Sequence, residues 1–144
     1  MTLRQTNTYV NINCAPYLQR VFERHGWLNI SDKTAHRGTP MTTNKELISE
    51  LENTLGPKNP KETKALEKQM GFSYRAAVGE LIYALITCRP DISFAITKLS
   101  QYSMRPAKCH YIAIKNIFKY LLLTINEGLT YWRSEKCTHL PEGQ

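Results

Sequence analysis

No stretch of this 144-residue chain approaches the about 18 consecutive apolar residues that a membrane-crossing helix needs, so no membrane partner is expected. Met1 to Asn13 is polar and has no apolar centre of the kind a secretory leader carries; the expectation is a cytoplasmic or nuclear protein that is not secreted. Cysteine is sparse. Cys14, Cys88, Cys109 and Cys137 are far apart and never form a C-x-x-C pair, which argues for free thiols rather than a disulfide framework. The only close Cys/His groupings are Cys109-His110 and Cys137-x-His139, and adjacent ligands strain a tetrahedral site, so no metal is expected. A Cys/His nucleophile finds no accompanying acid or oxyanion loop, so no catalytic residue is assigned. Internal repeats and low-complexity tracts are absent.

What the chain does have is positive charge, +7 overall with an isoelectric point near 9.3. The excess lies toward the ends. Residues 44–80 balance six Lys/Arg against six Glu, whereas residues 1–43 carry five basic against two acidic, and residues 105–136 six against two. Such a balance favours acidic partners, nucleic acid first, although many moderately basic proteins bind none. A hydrophobic content of 42% suits one domain with a modest core.

The stretch from Ser73 to Leu123 organises the rest. It reads as three helices joined by two short joints, each containing Arg-Pro. In the first helix Tyr74, Val78, Leu81 and Leu85 recur at helical spacing, with Ala77 and Ile82 beside them. Pro90 pushes Arg89 out of the helical region and should end that helix. Asp91 is placed to cap the second, which offers Ile92, Ala95, Ile96, Leu99 and Tyr102. Pro106 is expected at the first position of the third, whose face is Tyr111, Ile114, Phe118 and Leu121 flanked by Ile117 and Leu122. None of these stripes is stable alone in water, so they must pack together or on a partner.

On the third helix Lys108, Lys115 and Lys119 fall in one narrow row, expected nearly opposite Tyr111, Ile114 and Phe118. A lysine row can track a phosphate backbone without reading sequence; it can equally be an ordinary solvated face. Arg89 and Arg105, at the joints, are lesser phosphate candidates because joint arginines often cap helix C-termini. Tyr83 and Phe94 point off their stripes and suit either base stacking or a covering domain.

Before this core, Thr8 to Asn13 alternates and reads as a strand. Asn13 or Cys14 caps a helix with Pro16 in its first turn, Leu18, Val21 and Phe22 inward, and Gly26 as its stop. Leu28 to Thr43 reads as a surface loop. A short helix follows over residues 44–55, with Leu47, Ile48 and Leu51 on one side, until Gly56-Pro57 breaks it. Asn59, Pro60 and Glu62 form a start signal for a charged, peripheral and mobile helix ending near Met70. After a turn at Asn126-Glu127-Gly128, Leu129 to Trp132 reads as a short strand, and residues 133–144 as a disordered tail. The expected fold is mainly α, a small helical bundle with a minor β element made of an N-terminal and a short C-terminal strand.

These residues also carry a resemblance. From Tyr74 the chain is similar to the region just after the palm in copia-type retrotransposon reverse transcriptases, whose pattern runs YR-x-x-VG-x-L-x-Y, TRPDI-x-F-A, L-S, P, then H-W-x-A-x-K-R-x-L-R-Y-L-K-G-T. Tyr74, Arg75, Val78, Gly79, Leu81 and Tyr83 match its start. Thr87, Arg89, Pro90, Asp91, Ile92, Phe94 and Ala95 match its middle, with Cys88 as an extra residue. Leu99, Ser100, Pro106, His110, Ala113, Lys115, Tyr120, Leu121 and Thr124 match its end. Asn116 replaces a usual basic residue, and Leu122-Leu123 a Lys-Gly pair, which makes the last helix more apolar than the pattern. Upstream, Tyr17, Phe22, Gly26 and Thr39-Pro40-Met41 take family positions, although the usual Gln near the helix start is absent. The match runs from about Val10 to Tyr131.

The resemblance implies that residues 1–132 are a thumb/connection-like part of an RNA-directed DNA polymerase polyprotein, with 28–72 as a variable loop and peripheral helices and 73–123 as the core. It implies an RNA/DNA hybrid or duplex as partner, together with the polyprotein's palm and ribonuclease H domains. The family's Mg²⁺-holding aspartates, in a Y-x-D-D turn and on a nearby strand, have no counterpart: the chain has two aspartates, Asp32 and Asp91, neither in such a turn. Mg²⁺ therefore belongs to the palm, no cofactor is expected in this chain, and support of template–primer rather than catalysis is the role implied. A freestanding basic helical module that binds nucleic acid or protein is the alternative.

Overall fold

The computed structural model describes residues 2–27, 39–41 and 44–133. Along the chain these form β1 (Thr2–Gln5), β2 (Tyr9–Asn13), α1 (Ala15–His25), α2 (Lys45–Asn53), α3 (Pro60–Met70), α4 (Tyr74–Thr87), a 3-10 turn (Pro90–Ile92), α5 (Ser93–Ser100), α6 (Lys108–Leu123) and β3 (Leu129–Trp132). The architecture is mainly α, with one three-stranded antiparallel sheet in the order β1-β2-β3.

Helix starts follow local chemistry. Asn44, Asn59 and Ser73 stand before α2, α3 and α4 with extended backbone, and each side-chain oxygen accepts a first-turn N–H. Glu62 sits in the first turn of α3 but does not close the reciprocal bond of a capping box. At the far end of α1, Gly26 has φ +70, the left-handed conformation that releases the chain from a helix at no Cβ cost.

The core forms around α6, against which α1, α2, α3, α4 and α5 all pack. It buries His110, Tyr111, Ile114, Ile117, Phe118 and Leu121, and each fully buried apolar side chain of this kind contributes about 1.5–3 kcal/mol. Phe118 meets Phe22 of α1 edge-on at 6.2 Å, and Tyr111 meets Tyr74 of α4 at 5.3 Å. The Tyr74 hydroxyl donates to the Leu99 carbonyl at 2.5 Å, tying α4 to α5.

The structure differs from the sequence expectations at several points. β1 was not expected: all four of its residues are exposed, so no burial pattern marks it, yet it pairs with β2 from Thr2 opposite Asn13 to Gln5 opposite Val10. The Thr6 hydroxyl oxygen accepts the Tyr9 N–H at 3.1 Å and holds the connecting turn. Ile82 lies outside the buried face of α4, where Ala84 takes its place. The second core helix starts at Ser93 behind a 3-10 turn, so Asp91 does not cap it. Tyr102 falls beyond that helix and stacks on His110, ring centroids 4.1 Å apart. α6 starts at Lys108 with Ala107 before it, so Pro106 precedes the helix rather than opening it. α2 ends at Asn53, leaving Leu55 exposed. Within the expected surface loop, Met41 is buried in the core; residues 28–38 and 42–43 lie outside the described residues. Arg133, expected in the tail, extends the sheet by donating its N–H to the Thr8 carbonyl at 2.8 Å; residues 134–144 lie outside the described residues.

Candidate nucleic-acid interface

The lysine row stands on the central helix. At about 100° per residue the buried residues of α6 cover an arc of about 120°, and Lys115 lies only about 40° beyond Tyr111. The row therefore occupies a shoulder of the helix instead of the face nearly opposite the core. Lys108 is exposed, whereas Lys115 and Lys119 are half-buried. Lysine tolerates such a place by laying its aliphatic stem along apolar neighbours and keeping the ammonium in water. None of the three makes an ion pair or a side-chain hydrogen bond among the described residues. This shoulder is the side of α6 on which Tyr111 meets Phe72 (5.3 Å) and Phe118 meets Trp27 (4.9 Å).

Arg89 is placed quite differently. It is 1% exposed, and its guanidinium is fully engaged. Nε and Nη2 donate to the two Asp91 carboxylate oxygens at 3.1 and 2.9 Å. Nη1 donates to the Thr124 carbonyl at 2.6 Å, and Nη2 to the Thr124 hydroxyl at 2.7 Å. Thr124 is the residue that ends α6; its carbonyl also accepts the Glu127 N–H at 2.9 Å, so Arg89 adds a second, side-chain bond at the end of the central helix. Tyr120 completes the group by donating its hydroxyl to Asp91 Oδ2 at 2.6 Å. Burial alone would push the Asp91 carboxyl up, but the hydrogen bonds from Arg89 and Tyr120, with the charge of Arg89, outweigh it and hold the carboxyl below its ordinary value. The geometry removes Arg89 from the phosphate candidates and makes Asp91 its counter-ion.

Arg105 is half-buried and also faces inward: Nη2 donates to the Gly56 carbonyl at 2.8 Å, and the Gly56 N–H returns a bond to the Arg105 carbonyl at 3.1 Å. Its Nε is buried with no partner among the described residues.

His110 is another residue whose role the sequence did not reveal. It is completely buried; Nδ1 accepts the Ala107 N–H at 2.8 Å, and Nε2 donates to the Leu51 carbonyl at 2.8 Å. A neutral ring with its proton on Nε2 satisfies both contacts, so His110 starts α6 and ties it to α2. With both nitrogens engaged it cannot pair with Cys109 as a metal ligand. Cys137 and His139 lie outside the described residues, among which no group of three or more His, Cys, Asp or Glu could hold an ion. Burial, with neighbouring Cys88 adding to it, pushes the Cys14 thiol up to about 12, so it is no thiolate nucleophile.

The off-stripe aromatics are exposed. Tyr83 rests against Tyr17 at 4.5 Å, while Phe94 is 69% exposed and Ile86 76%. Among the described residues no helix is long and apolar enough to cross a membrane.

No family model matches the chain, and no solved structure matches it. It is 30% identical over 119 residues, 83% of its length, to a retrovirus-related Pol polyprotein from transposon TNT 1-94 of Nicotiana tabacum. It is 46% identical over 56 residues, 39% of its length, to the corresponding polyprotein from transposon RE1 of Arabidopsis thaliana. A third similarity, 36% over 61 residues and 42% of the chain, is to the secreted RxLR effector protein 161 of Plasmopara viticola, of which it covers 43%. The chain spans 8% of the tobacco polyprotein and 4% of the Arabidopsis one. It is thus similar over most of its length to a short segment of the tobacco transposon Pol polyprotein, and over a shorter stretch to the Arabidopsis one.

Proposed function

We propose that this chain is the part of a copia-type reverse transcriptase that follows the palm, and that it steadies an RNA–DNA hybrid or duplex through Lys108, Lys115 and Lys119 without performing the polymerase chemistry. The observation that carries this reading is the unpaired lysine row on the central helix of a chain similar to transposon Pol polyproteins. Three ammonium groups on one shoulder fit phosphate contacts that position a duplex and read no sequence. The aspartates and the two Mg²⁺ ions of the polymerase centre would lie in the palm, and ribonuclease H would be a further partner within the polyprotein. Titration of a labelled hybrid duplex with the 144-residue chain at two salt concentrations tests the reading. Micromolar affinity that falls steeply with salt, and is lost when the three lysines become glutamines, is expected. Binding indifferent to the glutamines sinks it.

A second reading has its own support. Tyr83, Ile86 and Phe94 leave large apolar side chains in water. They suit a protein partner, in the first place the rest of such a polyprotein. Self-association of the isolated chain that a palm domain relieves would favour this reading over simple nucleic-acid binding.

A further inference from the structure

We infer that α3 supplies a second phosphate-binding row, so that the chain holds both strands of a duplex; this rests on the proposed role of the α6 lysines. The charged helix α3 looked peripheral in the sequence, and no side chain of it is fully buried. Its lysines are nonetheless ordered by the helix. Lys61, Lys64 and Lys68 stand at i, i+3 and i+7, within an arc of about 60°, and all three are exposed. Half-buried Leu66 and Met70, on the opposite side of α3, pack against the core and fix which way this row faces.

The two rows stand on neighbouring helices, since α3 packs directly on α6. Lys64 and Lys68 line an open groove of about 620 Å³ together with Phe72 and Ser73. Phe72 is the residue that meets Tyr111, and Tyr111 borders the α6 lysine row. Glu67 also lines the groove, but it is half-buried toward α6, where its charge reinforces the effect of burial in raising the Tyr111 phenol. The outward rim is left to lysines. None of Lys61, Lys64 and Lys68 makes an ion pair among the described residues.

The α6 row is about 16 Å long and the α3 row about 10 Å, while phosphates recur every about 3.4 Å of axis on each strand. Each row is therefore long enough to meet several phosphates of one strand, and two such rows suit the two strands of a duplex.

The test is fluorescence anisotropy of a labelled hybrid duplex, and of its DNA strand alone, titrated with the full chain across a salt series. The proteins are wild type, Lys61→Gln/Lys64→Gln/Lys68→Gln and Lys108→Gln/Lys115→Gln/Lys119→Gln, each checked by circular dichroism. Each triple variant should lower the slope of log affinity against log salt by about 2–3, and the wild type should prefer duplex by about tenfold or more. If only the α6 variant loses slope, the second row is overturned and the first reading stands. If neither does, both fall. Equal affinity of the wild type for duplex and single strand overturns the two-strand grip.

Discussion

Two buried polar residues, Arg89 and His110, each join segments distant in sequence. Arg89 neutralises Asp91 and closes the end of α6 at once. Arg89→Ala removes both side-chain bonds to Thr124 and leaves Asp91 without its cationic partner. A loss of roughly 3 kcal/mol is expected in denaturant unfolding, the low end for a broken buried pair because Asp91 keeps some contact with water. Arg89→Lys should recover little, since a lysine cannot donate to carboxylate and helix end together. His110 gives a pH signature. Burial lowers its pKa below the ordinary 6.5, against a smaller opposing effect from the Leu51 carbonyl. The unfolded chain then takes up the proton first as pH falls. The stability contributed by His110 is complete above about pH 6.5 and declines below it until the lowered folded-state pKa is reached, by at most about 1.4 kcal/mol per pH unit. Unfolding midpoints at about pH 7.5 and 5.5 should diverge in the wild type, with a smaller divergence in His110→Gln. Equal divergence in both would assign the effect to another group.

At the scale of elements, what could be read from the sequence divides by distance along the chain. The cap Asn59, the stop at Gly26 and the inward set Leu18, Val21 and Phe22 depend on contacts within one or two turns, and the expected helices form there. The 3-10 turn replaced a simple cap because Asp91 is drawn to Arg89 and Tyr120, and Tyr120 lies 29 residues away. β1 escaped because a fully exposed four-residue strand has no alternation in burial to betray it. The candidate site was legible as a lysine row but not as a shoulder, and Arg89 was misleading until Thr124 came beside it. Gly56 is a further contact that local pattern could not reveal. It read as a helix breaker, yet a Cβ there would lie 2.4 Å from the Pro106 carbonyl oxygen and 2.6 Å from that of Arg105. Both are backbone atoms that cannot swing aside. Gly56→Ala should therefore destabilise by about 1–3 kcal/mol and part the α2–α3 connection from the start of α6, measurable by denaturant unfolding and by faster amide exchange at Gly56.

For the whole molecule, stability should be graded outward from α6. Ile114, Ile117, Phe118 and Leu121 sit where five helices converge, and their amides open only when that convergence is lost. The sheet is held differently. β1 pairs with β2 alone, and no side chain of β1 is buried, so its hydrogen bonds can part without disturbing the core. α3 resembles β1 in burying no side chain completely. Native-state hydrogen exchange should show the α6 core amides exchanging last, with those of β1 and α3 faster by about 100-fold or more. This grading bears on the proposed grip. If α3 is the loosely held member of a two-row clamp, its local opening releases the duplex, so a duplex should slow exchange in α3 by about the same factor as in α6, whose amides open by global unfolding, and leave β1, which opens without disturbing the grip, almost unchanged. Slowing in α6 without slowing in α3 would instead mean that α3 opens while the duplex stays bound and takes no part in the grip.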